Sequence, residues 1–227
     1  MTTSRFPTKP GVITVEDYYQ NITFTINVIK AAGNLYKDAE KNGKNIERRR
    51  FDLICNHTLR DLQKMFRWDT KKGTGGNLNE SMIYLSKKFP ECKLKALLIA
   101  RVEHIIPVKI GVDSIRSILL DGAPKSLNEE VLKVVFGPVS LITKEEDDTL
   151  KKLKLNDKMP DKNVIMSRYE KAGIGIKNIL DGSNINLSEY KWRDHIRYLS
   201  NLTLPRENGN LGELFSKFCL EDGSLFK

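Results

Sequence analysis

Glu103-His104-Ile105-Ile106-Pro107 sets an acid and an imidazole side by side, follows them with two β-branched residues and closes on a proline. The stretch predicts a short strand that stops at Pro107, because proline has no N–H to give to a ladder. Downstream, Val139-Ser140-Leu141-Ile142-Thr143-Lys144-Glu145-Glu146-Asp147 reads as a second strand running straight into an acidic helix start. Thr143 and Glu146 have the spacing of a capping box, in which each satisfies a backbone N–H of the other. If the two stretches fold back on each other, an imidazole and a pair of acids share a divalent cation. Neighbouring strand residues point to opposite faces, so joint use of Glu103 and His104 requires an irregular strand end.

Outward from this pair of stretches the pattern is mainly helical. Tyr18, Ile22, Ile26, Ile29 and Leu35 predict a helix from Val15 to about Lys41, and Gly43 supplies a stop. Phe51, Ile54, Leu59, Leu62 and Met65 predict a second helix from about Ile46 to Phe66, ahead of a glycine-rich turn at Gly73 to Gly76. That turn lacks the Gly-Lys-Ser/Thr ending of a phosphate-binding loop and is read as a connection only. Two shorter helices are expected at Asn79 to Lys88 and Glu91 to Ala100, then an apolar segment from Val112 to Leu120. A helix from Leu127 to Val135 with Ser126 as its N-cap and one from Lys144 to about Lys154 flank the second strand. The remainder, punctuated by Pro160, Gly173, Gly175, Gly182, Pro205, Gly209 and Gly212, leaves room for two short helices. The first eleven residues read as an irregular arm carrying Arg5 and Lys9.

At 227 residues the chain is long enough to bury a core, and its 40% hydrophobic content is that of an ordinary globular protein. No run of about 18 apolar residues and no apolar stretch behind a basic start is present, so the expectation is a cytoplasmic protein without a membrane partner. Cys55, Cys92 and Cys219 are odd in number and widely separated, which argues against a disulfide framework or a cysteine-rich zinc site. The formal net charge of +9 favours an acidic partner, and nucleic acid is the first class to consider. Arg48-Arg49-Arg50 and the basic aromatic segment Lys191-Trp192-Arg193-Asp194-His195-Ile196-Arg197 are the candidate phosphate contacts.

The Glu-His-hydrophobic-hydrophobic-Pro stretch, Thr143-Lys144-Glu145-Glu146 and Arg168-Tyr169-Glu170-Lys171-Ala172-Gly173-Ile174 together resemble a divergent HNH family of bacterial and phage proteins. The resemblance covers roughly residues 97–174. It implies a ββα-metal core, in which a strand presents a metal-binding acid and a general-base histidine, a second strand follows, and a helix returns a further ligand. Carried over, His104 takes a proton from the attacking water, while Glu103 and Asp147, or Glu146, hold Mg²⁺ or Mn²⁺. Arg168 clamps a phosphate or braces the site through an ion pair. The chain departs from the family in three ways. Asp147 stands where the second histidine belongs, the interval from His104 to Asp147 must hold an inserted helix, and Asn128 in that interval reads as structural.

Fainter patterns stand beside this one. Arg50 and His57 are similar in type, with a longer spacing, to the Arg and His of HEPN ribonucleases, and a core or surface histidine is the plainer account of His57. Asp69 with Glu91-Cys92-Lys93 imitates the acid and Glu-x-Lys of restriction-type nucleases, although Glu91 opens a helical-looking stretch. The expectation is an α+β protein, mainly helical with a small ββα-metal nuclease core at 97–175, a helical region at 1–96 and a basic region at 176–227. Its expected activity is metal-dependent DNA hydrolysis, with RNA left open and a homodimer suggested because duplex cleavage needs two nicks. The alternative is a helical protein that binds or packages nucleic acid without cutting it.

Overall fold

The computed structural model describes residues 14–43, 45–65, 67–68, 78–79, 84–89, 100–121, 124–179, 181–200 and 211–218. Within them the chain is a mainly helical α+β protein with a small four-stranded mixed sheet. The expected arm, the glycine turn and the Asp69/Glu91-Cys92-Lys93 set lie outside the described residues, as does nearly all of the expected helix from Glu91. No helix among the described residues is long and apolar enough to cross a membrane.

Two long helices, α1 (Val15–Lys41) and α2 (Asn45–Met65), share one buried core. Thr14 opens α1: its hydroxyl accepts from Asp17 N at 3.1 Å while Asp17 Oδ2 accepts from Thr14 N at 2.7 Å, a reciprocal cap. Tyr18, Ile22, Ile26, Ile29 and Tyr36 face inward on α1, and Phe51, Cys55, Leu59 and Leu62 on α2. The rings of Tyr36 and Phe51 stack with centroids 5.0 Å apart. Leu35 and Ile54, expected in the apolar stripe, are 68% and 37% exposed. The reason is the helical period: Ile29 repeats on the same face seven residues later at Tyr36, and Phe51 four residues later at Cys55.

The short pair β1 (Arg67–Trp68) and β2 (Leu78–Asn79) is antiparallel. The four-stranded sheet holds β3 (Tyr84–Ser86), β4 (Arg101–His104), β5 (Val139–Ile142) and β6 (Ile176–Asn178) in the order β4-β5-β3-β6. β5 runs parallel to β3 and antiparallel to β4, and β6 is antiparallel to β3. Asn79 to Lys88 was expected to be helical; β2 and β3 stand there instead. Tyr84-Leu85-Ser86 belongs to a short apolar run whose period is ambiguous, and ladders on both sides decide for strand.

Between β4 and β5 the chain inserts α3 (Val108–Asp121) and α4 (Pro124–Val135). α4 starts at Pro124, a favoured first helical residue, so Ser126 lies within the helix and is not its cap. Close packing here depends on absent side chains: a Cβ on Gly111 would stand 2.1 Å from Val134 Cγ2, and one on Gly33 of α1 would stand 2.7 Å from Leu119 Cδ1. Arg116 of α3 ion-pairs with Asp52 of α2. After β5 come α5 (Lys144–Lys152), α6 (Ser167–Ala172), then β6, α7 (Trp192–Ser200) and α8 (Leu211–Lys217). Among its described residues the C-terminal stretch thus holds a strand and three helices where two helices were expected.

Three buried clusters result. The largest unites α1, α2, α3, α4, α7 and α8, from Tyr18 to Phe215. The other two lie on opposite faces of the sheet: Tyr84, Ile142, Leu150, Tyr169 and Ile176 on one, Leu85, Phe89, Val139 and Leu141 on the other. β5 is buried along its whole length, as expected for a strand covered on both faces. The sheet draws β3 from the first expected region, β4 and β5 from the second and β6 from the third, so it knits all three together.

Candidate functional site

The candidate site lies where β5 delivers the chain into α5. Thr143 caps that helix as the sequence predicts: Glu146 N donates to Thr143 Oγ1 at 3.2 Å and Thr143 N donates to Glu146 Oε2 at 2.9 Å. The other Glu146 oxygen accepts from Ser86 Oγ at 2.7 Å, and Lys88 Nζ stands 4.0 Å away. Glu146 is therefore buried with both carboxylate oxygens engaged, and it ties β3 to the head of α5. Asp147, one residue on, is only partly covered and pairs with Lys151 at 2.6 Å.

On β4, Glu103 stands opposite Ser140 and His104 opposite Val139. Side chains directly opposite in a ladder share a face. Glu103 thus lies with Ser140 on the side of α5 and α6, while His104 lies with Val139 on the other side. The ladder runs regularly through His104, so the irregular strand end needed for joint use of this acid and imidazole is not present.

What meets Glu103 is Arg168 of α6. Arg168 is fully buried, its Nη2 ion-pairs with Glu103 Oε1, and its Nη1 donates to the His104 carbonyl at 3.2 Å. Burial raises the Glu103 carboxyl above its ordinary range; the Arg168 cation pulls against this and the Asp147 charge adds to it. Beside them the Tyr169 hydroxyl is wholly buried, and burial first, then the Glu103 charge, pushes its pKa up. Tyr169 OH, Ser140 Oγ and Arg168 Nε make no hydrogen bond within the described residues.

Glu103, Glu146 and Asp147 are each held by a partner of their own: Arg168, Ser86 and Lys151. Among the described residues no group of three His, Cys, Asp or Glu side chains is placed to hold a metal ion. Arg168 reaches inward to Glu103, away from any surface a phosphate could approach.

The other expected contacts divide by exposure. Arg49 and Arg50 are exposed on α2, and the Arg48 side chain lies outside the described set. Lys191, Arg193 and Arg197 are exposed at α7. His195, in the same segment, is buried: its Nε2 meets the Phe136 carbonyl at 2.7 Å and its Nδ1 meets Tyr84 OH at 2.7 Å. A carbonyl only accepts, so Nε2 carries the proton, Nδ1 accepts from Tyr84, and the Tyr84 oxygen in turn accepts from Tyr190 OH at 2.9 Å. Desolvation lowers the His195 pKa to about 4, with the Phe136 bond pulling the other way. Tyr84 and Tyr190 were not singled out from sequence. The signal available was the four-residue step from His195 to Leu199, which places both on the buried side of α7.

Comparison of the chain with protein-family models, with curated proteins and with solved structures finds no match in any of the three.

Proposed function

We propose that this protein binds nucleic acid through phosphate contacts made by outward-facing basic side chains. The observation that carries the reading is a net charge of +9 whose arginines stand exposed on α2 and α7, while the acids of the C-terminal sheet are engaged internally. Exposed cations attract a polyanion by releasing its condensed counterions, without any need for sequence-reading contacts. The test is fluorescence anisotropy of a labelled 30-base-pair duplex at rising salt. Salt-sensitive binding supports the reading; absence of binding at about 50 mM salt removes it.

A second reading, metal-dependent DNA hydrolysis, is favoured by one arrangement: the antiparallel β4–β5 pair runs directly into α5, with Glu103 on β4 and Asp147 in the first turn of α5. This is the order of elements in a ββα-metal core. Mg²⁺ or Mn²⁺ would suit such oxygen ligands, yet Glu103 sits on Arg168, Asp147 sits on Lys151 and His104 points to the opposite sheet face. The described residues do not fit an ion in this arrangement. Incubation of plasmid DNA with Mg²⁺, Mn²⁺ or EDTA separates the readings. Metal-dependent nicking abolished by His104→Ala supports hydrolysis; binding without nicking supports the first reading.

A further inference from the structure

We propose that the outward face of α2 is the docking surface, and that its ligand is the phosphate backbone of double-stranded DNA. The inference rests on the nucleic-acid reading above and names the element that performs it. Arg49, Leu53, His57 and Arg60 succeed one another at steps of four, four and three residues, and Arg50 lies beside the row; all are exposed. Such steps return to one side of a helix. The opposite side of α2, through Phe51, Cys55, Leu59 and Leu62, is buried in the helical core, so the row is held in a fixed direction on a rigid element. With a rise of 1.5 Å per residue it extends over about 16 Å.

The row gathers several arginines on one rigid face, and among the described residues they make no ion pair. On other helices several exposed bases have an acid in reach: Lys109 meets Asp113 at 2.9 Å, Lys151 meets Asp147 at 2.6 Å and Lys217 meets Glu16 at 2.8 Å. Among the described residues Arg49, Arg50 and Arg60 make no ion pair; Asp52 is taken by Arg116 of α3, and Asp61, exposed next to Arg60, is the acid that shares this face. Three arginines against one aspartate leave this face a surplus of positive charge for a partner.

The chemistry of the row also selects the kind of nucleic acid. Surfaces for unpaired strands combine cations with aromatic platforms on which bases stack. Among its described side chains this face displays arginines, His57 and the 57% exposed Leu53, and no aromatic ring. Arginines at both ends of the row, without a stacking surface between them, suit the regular phosphate array of a duplex, with Leu53 free to lie against sugar edges.

The test compares the full-length protein with R49Q/R50Q/R60Q and with R193Q/R197Q, measuring duplex affinity against salt, with a thermal melt of each. The first variant is expected to lose at least tenfold in affinity at about 100 mM salt, with a salt slope shallower by roughly 2.7, or 0.9 for each contact removed. If it fails to fold, R60Q alone is read instead and is expected to flatten the slope by about 0.9. Duplex binding by the wild type with an unchanged slope in these α2 variants overturns the assignment to α2 and leaves the nucleic-acid reading standing. Absence of duplex binding by the wild type overturns both. Tighter binding of poly(dT) than of duplex overturns the choice of double-stranded DNA.

Discussion

Arg168 is buried inside the C-terminal part of the molecule with its guanidinium on Glu103 of the edge strand and on the backbone carbonyl next to it. A guanidinium removed from water is tolerable only when a partner compensates the lost hydration, so α6 and β4 are bound to each other through this pair. Loss of one member leaves the other as an uncompensated charge. Arg168→Met is expected to lower stability by about 3–5 kcal/mol in urea denaturation, whereas Glu103→Leu with Arg168→Met together recovers most of it. A single-variant loss below about 1 kcal/mol would show that the pair is not a structural tie.

His195 makes stability depend on pH. Its folded pKa is about 4, below the ordinary 6.5, so between these values the unfolded chain binds the extra proton. The stability contributed by the neutral imidazole is complete above pH 6.5 and is lost as pH falls toward 4. The term reaches up to about 3 kcal/mol. Subtracting the denaturation profile of His195→Asn from that of the wild type isolates it. A flat difference between pH 6.5 and 4 contradicts the buried neutral assignment.

Thr143 caps α5 and is held by Glu146 in return. Thr143→Ala is expected to cost about 1 kcal/mol, and Thr143→Ser a fraction of that because the accepting oxygen is kept. Equal losses in the two variants, read from chemical melts, would mean that the hydroxyl bond to Glu146 N contributes nothing.

Gly111 is the tightest approach between α3 and α4. Alanine there gains helix propensity of about 1 kcal/mol but drives its Cβ into the branched end of Val134, which stands 2.1 Å from the ideal position. Net destabilisation of about 1–3 kcal/mol is expected from overpacking, and Val134→Ala in the same chain should relieve it. A Gly111→Ala protein that melts higher than wild type would refute this packing.

Much of the helical part was legible because a period of 3.6 leaves a long trace: α1 and α2 bury residues that recur on one side over 27 and 21 residues. The errors at Leu35 and Ile54 were one-position slips at the edge of that stripe. β3 was misread because three residues cannot display a period, and the ladders that make Tyr84-Leu85-Ser86 a strand come from residues 140–141 and 176–178. The Thr143 cap was legible since both of its members lie within four residues. The partner of Glu103 was legible only as one of two options for Arg168, because those residues are 65 positions apart and meet through packing alone.

From the order of its residues alone this chain carries its helical character, its two strand-forming stretches around Glu103 and Ser140, the cap on α5 and its surplus of positive charge. Those properties depend on neighbours within a turn or two of one another, or on composition. Which face each side chain takes was decided only by tertiary structure. The regular β4–β5 register sends Glu103 and His104 apart, and the burial of α6 brings Arg168 onto Glu103. The packing of α7 turns His195 inward while leaving Arg193 outside. Strand register and desolvation are set by contacts between distant segments, and no local spacing contains them.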